Sequence, residues 1–273
     1  MRDILHFSHA NSFPATCYRK MFGELDAHYQ VGYIERLGHN PDYPVTDSWP
    51  HLVAETLDYI RQHYDRPVIG VGHSLGGYLT LMAALAAPEL FKAIVVMDSP
   101  LMGAWRGRGL WLAKRLKVVD RLTPGRYTLR RRDAWPSVES AYSFFANKPL
   151  FARFDPDVLW DYAQSGTEDC EVGRRLRFRP HIEHQIYRSM PHGLHRYHGK
   201  LAVPGAYFVG AETDLVGPAE RLNAHRHFGL TVHTVSGSHL FPLEHPQLTA
   251  ATLLKVLPTL LEHSGQKKRH SSD

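Results

Sequence analysis

The chain has 273 residues, 43% of them hydrophobic, and a formal charge of +5, which suits one large α/β domain carrying an insertion. No apolar run reaches the roughly 18–20 residues of a membrane span, and two cysteines, Cys17 and Cys170, exclude a disulfide framework. The N-terminus enters Ile4-Leu5 with no secretory pattern ahead of it, so the expected setting is cytoplasmic.

Short apolar runs alternate with helical stretches, the pattern of a mostly parallel sheet covered by helices. Residues 4–8 read as the first strand, 15–28 as a helix and 30–38 as containing the second strand. A helix follows over 49–64, with Pro50 in its first turn. "PVIGVGHS" (67–74) is a third strand, "LGGYLTLMAALAAP" a helix of small residues, and "FKAIVVMDS" (91–99) a fourth strand.

The rhythm then breaks for about 100 residues, so 1–100 and 201–263 are expected to form the core and 101–200 an inserted, mainly helical cap. "WLAKRLKVVDRL" (111–122) is predicted as an amphipathic helix with Leu112, Leu116 and Val119 on one face. "PDVLWDYAQ" begins another at Asp155-Pro156. Strands resume at 204–210 and 230–237, with helices over 218–228 and 246–263. The tail 264–273 is expected to be disordered. Residues 101–200 hold 19 basic and 10 acidic residues, a net of +9, against 13 and 17 in the rest. Such a basic module could face an anionic ligand or a membrane surface, or be an ordinary solvated face.

The strongest chemical signal is Gly72-His73-Ser74-Leu75-Gly76, a complete G-x-S-x-G between a buried strand and a helix. In that setting Ser74 sits on a tight turn at the carboxyl end of the sheet, with the helix N-terminus aimed at the same place. A phosphate-binding loop is disfavoured, since G-x-x-x-x-G-K-[ST] is absent. A serine nucleophile needs a base, and the base an orienting acid. Among 19 histidines, position selects His239 in "VSGSHLFPLEHP", after the last strand; His245 is less well placed. "YFVGAETDLVG" offers Glu212 and Asp214, of which Asp214 lies further into the loop and is the preferred acid. Asp98, ending the fourth strand, is the alternative.

"GHSLGG", "GAETD" and "GSHLFPLEHP" resemble, in order and spacing, the motifs of the α/β-hydrolase family, and more particularly its bacterial serine esterases and lipases with a helical lid. The resemblance covers residues 4–100 and 201–263 and implies a carboxylic-ester hydrolase acting through an acyl-enzyme, with Ser74, Asp214 and His239 as triad. A thioesterase or acyltransferase on an anionic acyl carrier is the alternative, and a non-catalytic binding module a third. Relatives such as epoxide hydrolases use an aspartate nucleophile, which Ser74 disfavours here. The family's usual His-Gly-X-Pro turn after its first strand is replaced by "HANSFP" (9–14). Asn11 then takes the histidine slot and Ser12 the glycine slot, which nominates the N–H of Phe13 as one oxyanion donor beside that of Leu75. Sliding the alignment nominates Asn11 instead.

No cofactor or metal motif is evident. His181, His184, His192, His195 and His198 lack a ligand pattern. No nucleic-acid-binding module is present, and the basic run "LRRRD" (129–133) reads as a solvated or ion-paired face, or as a contact for an anionic head group or carrier. The expected partner is a small ester with an apolar acyl or alcohol part, with peripheral lipid contact through the basic cap as a further expectation. The cap tryptophans Trp105, Trp111, Trp135 and Trp160, with Phe144, Phe145, Phe151 and Phe154, are assigned to the cap's own core.

Overall fold

A computed structural model describes residues 1–121 and 123–270. In chain order the first half comprises β1 (Asp3–Ser8), α1 (Arg19–Leu25), β2 (Tyr29–Tyr33), α2 (Pro50–His63), β3 (Val68–His73), α3 (Leu75–Ala86) and β4 (Phe91–Met97). The insert contains α4 (Ala104–Arg115), α5 (Gly125–Thr128), β5 (Ala134–Trp135), α6 (Val138–Ala146), α7 (Pro156–Ser165), β6 (Thr167–Cys170), β7 (Gly173–Leu176) and α8 (Pro180–Arg188). The chain closes with β8 (Gly205–Gly210), α9 (Pro218–Phe228), β9 (Thr231–Val235), α10 (Phe241–Glu244) and α11 (Pro246–His270). Residues 264–270, expected in a disordered tail, continue α11, and 271–273 lie outside the described residues.

The main sheet is parallel throughout, in the order β2-β1-β3-β4-β8-β9. Side chains alternate between its faces, as strand geometry requires. Leu5, Phe7, Ile69, Val71, Val95 and Phe208 join α1 and α11 in one buried cluster. Ile4, Val68, Ile94, Val96, Tyr207 and Val209 join α2, α3 and α9 in the other. Both faces are thus covered, which explains why the strands read as nearly continuous apolar runs. Ser8 pairs with Gly72, and His73 with Met97, so the ends of β1, β3 and β4 lie level. The strand order reverses direction at β1, which opens a crevice at these carboxyl ends.

The insert is mostly helical, with a small antiparallel sheet, β5-β7-β6, that the sequence did not announce. Local caps fix its helices: the Asp155 carboxylate accepts from the N–H of Asp157 and Val158 to start α7, and Ser137 accepts from Ser140 to start α6. The helix expected over 111–122 is displaced. It is α4, which begins at Ala104 and buries Gly107, Leu110 and Ala113. Lys117, at φ 58, lies just beyond its end, and Leu112 and Leu116 face solvent. Trp105, Trp111 and Trp160 are likewise exposed, so they are not cap core, whereas Trp135, Phe145, Phe151, Phe154 and Tyr162 are buried together.

The charge asymmetry has a structural counterpart. Lysines and arginines of the insert pair with acids of the core: Arg106 with Glu220, Lys114 with Asp47, Arg177 with Glu35, and Arg153 with both Glu212 and Glu244. Most such pairs are partly solvated and contribute little individually. Others run the opposite way, from Arg19 to Asp161, from Lys20 to Asp155 and Asp157, and from Arg36 to Glu168, so ion pairs of both senses join the insert to the core.

Candidate active site

Ser74 occupies the turn between β3 and α3 with φ 54 and ψ −111, a region side chains rarely adopt. The turn is held from three sides. The Ser74 N–H donates to the Met97 carbonyl at 2.8 Å, the Ser99 hydroxyl donates to the Ser74 carbonyl at 2.7 Å, and the Gly76 N–H donates to the His9 carbonyl at 3.1 Å. Two glycines are required by close approach. A Cβ at Gly72 would run into the Gly76 carbonyl, and one at Gly76 into the Ser8 carbonyl. Both obstacles are backbone and cannot swing aside.

The imidazole of His239 bridges Ser74 and Asp98. Its Nε2 lies 3.1 Å from Ser74 Oγ and its Nδ1 2.8 Å from Asp98 Oδ2. A carboxylate only accepts, so Nδ1 carries the proton and Nε2 is left to accept from the serine hydroxyl. Asp98 is fully buried, and three donors satisfy it: His239, the Gly210 N–H at 2.8 Å and the Thr213 hydroxyl at 2.6 Å. Its own backbone is unusual, with φ 45 immediately after β4. The His239 loop is braced by Glu244, which accepts from the N–H of Ser238 at 2.8 Å and from its hydroxyl at 2.5 Å.

Asp214, the acid preferred from the sequence, is not brought to His239. It is exposed on the loop after β8, while Nδ1 of His239 is engaged by Asp98. The reason lies in the strand order: β4 is central and its end adjoins both β3 and β8, which leaves Asp98 between the serine turn and Gly210, within reach of His239. The loop after β8 still contributes, through Thr213 and Gly210, by holding Asp98. Glu212 faces outward to Arg153.

The turn after β1 also departs from expectation at its donor. The Phe13 N–H closes a four-residue turn on the Ala10 carbonyl at 3.1 Å, so it is not free to meet an oxyanion. Ser12 is the third residue of that turn, at φ 77, the position of a type II turn that prefers glycine. A serine there costs about 1 kcal/mol or more. Among the described residues no hydrogen-bond partner is found for the N–H groups of Asn11, Ser12 and Leu75. Asn11, the alternative from the sequence, therefore replaces Phe13 as the candidate donor. The Phe13 ring instead packs among Phe151, Phe154 and Tyr162 of the insert. The polar side chains of the turn are tied down as well. Ser12 Oγ accepts from Arg131 at 2.9 Å, and Asn11 Nδ2 donates to the Glu183 carbonyl at 3.2 Å.

Three residues that organise the site were missed from the sequence. His73, the variable residue of the serine motif, donates from Nε2 to the His239 carbonyl at 2.8 Å, so its Nδ1 accepts from the Tyr18 hydroxyl at 2.8 Å. Tyr18 in turn accepts from the Ala10 N–H at 3.3 Å. One buried chain thus links the turn after β1, the serine strand and the histidine loop. His9 accepts from the Leu37 N–H at Nε2 and donates from Nδ1 to the Ala10 carbonyl, which fixes the start of the turn. A histidine inside an apolar strand end was the available signal.

Burial keeps several of these rings neutral. It lowers His6 and His39 to about 3 and His9 to about 4, and His73 well below its usual range. The unfolded chain binds these protons near pH 6.5 and the folded chain does not, so stability is lost as pH falls from about 6.5 toward about 3–4. Buried Glu55, raised to about 7, acts in the opposite sense by losing stability as pH rises toward 7, but it is one group against four. The thermal midpoint is expected to fall steadily between pH 6.5 and pH 4.5. A flat profile by differential scanning calorimetry would contradict this.

The sequence profile of the alpha/beta hydrolase family matches residues 7–252. The chain belongs to this family. Like other alpha/beta hydrolases it superposes on solved structures over nearly its full length. An E-2-(acetamidomethylene)succinate hydrolase aligns at TM-score 0.75 and 18% identity, covering 94% of this chain and 91% of that one. The thioesterase domain of the curacin biosynthetic pathway aligns at TM-score 0.70 and 18% identity, covering 93% and 91%. Identities this low speak for the fold alone. A type I acyl-CoA thioesterase of Penicillium roqueforti is 33% identical over 112 residues, 40% of this chain and 24% of that protein. An abhydrolase domain-containing protein of Alternaria alternata is 33% identical over 94 residues, 34% and 31%. These matches span about a quarter to a third of the curated relatives. No helix among the described residues is long and apolar enough to cross a membrane.

Proposed function

We propose that this alpha/beta hydrolase is a serine hydrolase that cleaves carboxylic esters through an acyl-enzyme, with Ser74 as nucleophile, His239 as base and Asp98 as orienting acid. The observation that carries the reading is the unbroken hydrogen-bond chain from Ser74 Oγ through His239 to Asp98 on a strained strand-to-helix turn. His239 Nε2 takes the serine proton as Oγ bonds to the ester carbonyl carbon. The resulting oxyanion meets the N–H groups of Leu75 and Asn11, aided by the N-terminus of α3. On collapse the C–O bond to the alcohol breaks and His239 returns the proton to that oxygen. Water, deprotonated by the same imidazole, then releases the acid and restores Ser74. Asp98 stays ionised and stabilises the charged ring.

Treatment of the wild type with a fluorophosphonate should give one adduct, located on Ser74 by peptide mass spectrometry. An unlabelled protein, or an adduct elsewhere, would overturn the reading. The partial likeness to an acyl-CoA thioesterase and the net positive insert favour a second reading, thioester cleavage or acyl transfer from an anionic carrier. A panel of matched oxoesters and thioesters of increasing chain length separates the two by their kcat/KM ratio. On the outward face of α4, Trp105 and Leu112 lie beside Arg108, which favours contact of the insert with an anionic, partly apolar surface. Free Cys17 and Cys170 fit a reducing, cytoplasmic setting.

A further inference from the structure

The turn that replaces His-Gly is held by a charged pair from the insert, a partly buried Arg131 and a buried Glu183. Arg131 Nη1 donates to Ser12 Oγ at 2.9 Å and lies 2.8 Å from Glu183 Oε2. Glu183, on α8, presents its backbone carbonyl to Asn11 Nδ2. The Tyr162 hydroxyl faces Ser12, and that of Tyr187 faces the Asn11 side chain. Both polar residues of the turn are therefore gripped from above by segments more than 100 positions away in the chain.

This arrangement is poor as mere packing. Among the described residues Nε and Nη2 of Arg131, Oε2 of Glu183 and Oδ1 of Asn11 are shut off from solvent without a well-formed hydrogen bond, although the Tyr162 hydroxyl lies against the Arg131 guanidinium. An apolar residue would fill the same space without leaving such groups unpaired. Resting on the serine-hydrolase reading, we propose that Arg131 and Glu183 are positioning residues that clamp Asn11 and Ser12, so that the oxyanion turn is held in its working shape only when the insert is seated. Serine replaces glycine in the turn because its hydroxyl is the handle. The left-handed backbone that glycine would adopt freely is here imposed through Ser12 Oγ.

The test compares wild type, Arg131→Gln, Arg131→Lys, Ser12→Ala and the double variant R131Q/S12A. Two readouts are taken: kcat and KM on an ester, and the second-order rate of Ser74 phosphonylation by a fluorophosphonate. Arg131→Gln and Ser12→Ala should each lower kcat and the phosphonylation rate about 10- to 100-fold, with KM within about 2-fold. The double variant should lose no more than the worse single, because both act through one contact. Arg131→Lys should recover most of the loss. Unchanged rates, a change confined to KM, or additive losses overturn the clamp. If Arg131→Gln does not fold, Ser12→Ala and Arg131→Lys decide by the same criteria. Absence of wild-type labelling overturns the serine reading and this inference with it. Normal wild-type labelling with unaffected variants overturns the clamp alone.

Discussion

Replacing Ser74 with alanine is expected to abolish ester turnover, lowering kcat by about 10⁵-fold or more while the fold survives. The reasoning starts from the backbone. The φ of 54 at Ser74 is enforced by Gly72 and Gly76 and by bonds to Met97, Ser99 and His9, none of which uses the serine hydroxyl. Alanine meets the same strain as serine, so the turn persists and its N–H groups stay in place. What disappears is the oxygen that His239 Nε2 meets at 3.1 Å. The residual rate should be that of substrate held against Leu75 and Asn11 without a nucleophile. The measurement is steady-state hydrolysis of chromogenic esters, with the thermal midpoint as a control for folding. A Ser74→Ala protein retaining more than about 1% of activity would remove the serine from the mechanism.

The serine site was legible in the sequence because its requirements are local. A strand, a glycine, a serine and a second glycine within five residues leave little freedom, and the turn they predict is the one found. His239, selected from its place after the last strand, is the histidine that lies beside Ser74. The carboxylate that lies beside His239 was not legible, because whether Asp98 or Asp214 reaches the ring depends on how two strand ends sit side by side, which no local pattern encodes. The turn after β1 was half legible. The departure from His-Gly pointed to Asn11, Ser12 and Phe13, but which N–H stays free was decided by the Phe13 bond to Ala10. The displaced helix in the insert had a related cause. Leu112, Leu116 and Val119 do fall on one helical face, yet the face that packs is that of Gly107, Leu110 and Ala113. Small residues bury well against a neighbouring backbone and give a weak periodic signal.

The charge imbalance between insert and core has more than one consequence. Arg153 ties the insert to Glu244, which also braces the histidine loop, and Arg131 ties it to the turn after β1. The insert thus reaches the His239 loop and the turn after β1 through separate arginines. High ionic strength should weaken the more exposed Arg153 contact more than the partly buried Arg131 pair, since screening acts through solvent.

The second large effect concerns the acid. Asp98→Asn should lower kcat by about 10⁴-fold, whereas Asp214→Asn should leave it within about 2-fold. Asparagine keeps the shape of the side chain. Its carbonyl oxygen can still accept from Gly210, and Thr213 can reverse its hydroxyl to accept from the amide. The amide N–H₂, however, now faces His239 Nδ1 and donates to it. The imidazole must then carry its proton on Nε2, where it can no longer accept from Ser74. The loss is one of tautomer and charge stabilisation, not of packing, so Asp98→Asn should be labelled more slowly by a fluorophosphonate while its thermal midpoint shifts little. Asp214, exposed on its loop, has no such lever on the ring. The double variant D98N/D214N should behave as Asp98→Asn does. A crippled Asp214→Asn beside an active Asp98→Asn would mean that the histidine loop swings toward β8 in the working enzyme. The bond between His239 and Asp98 would then belong to a resting arrangement.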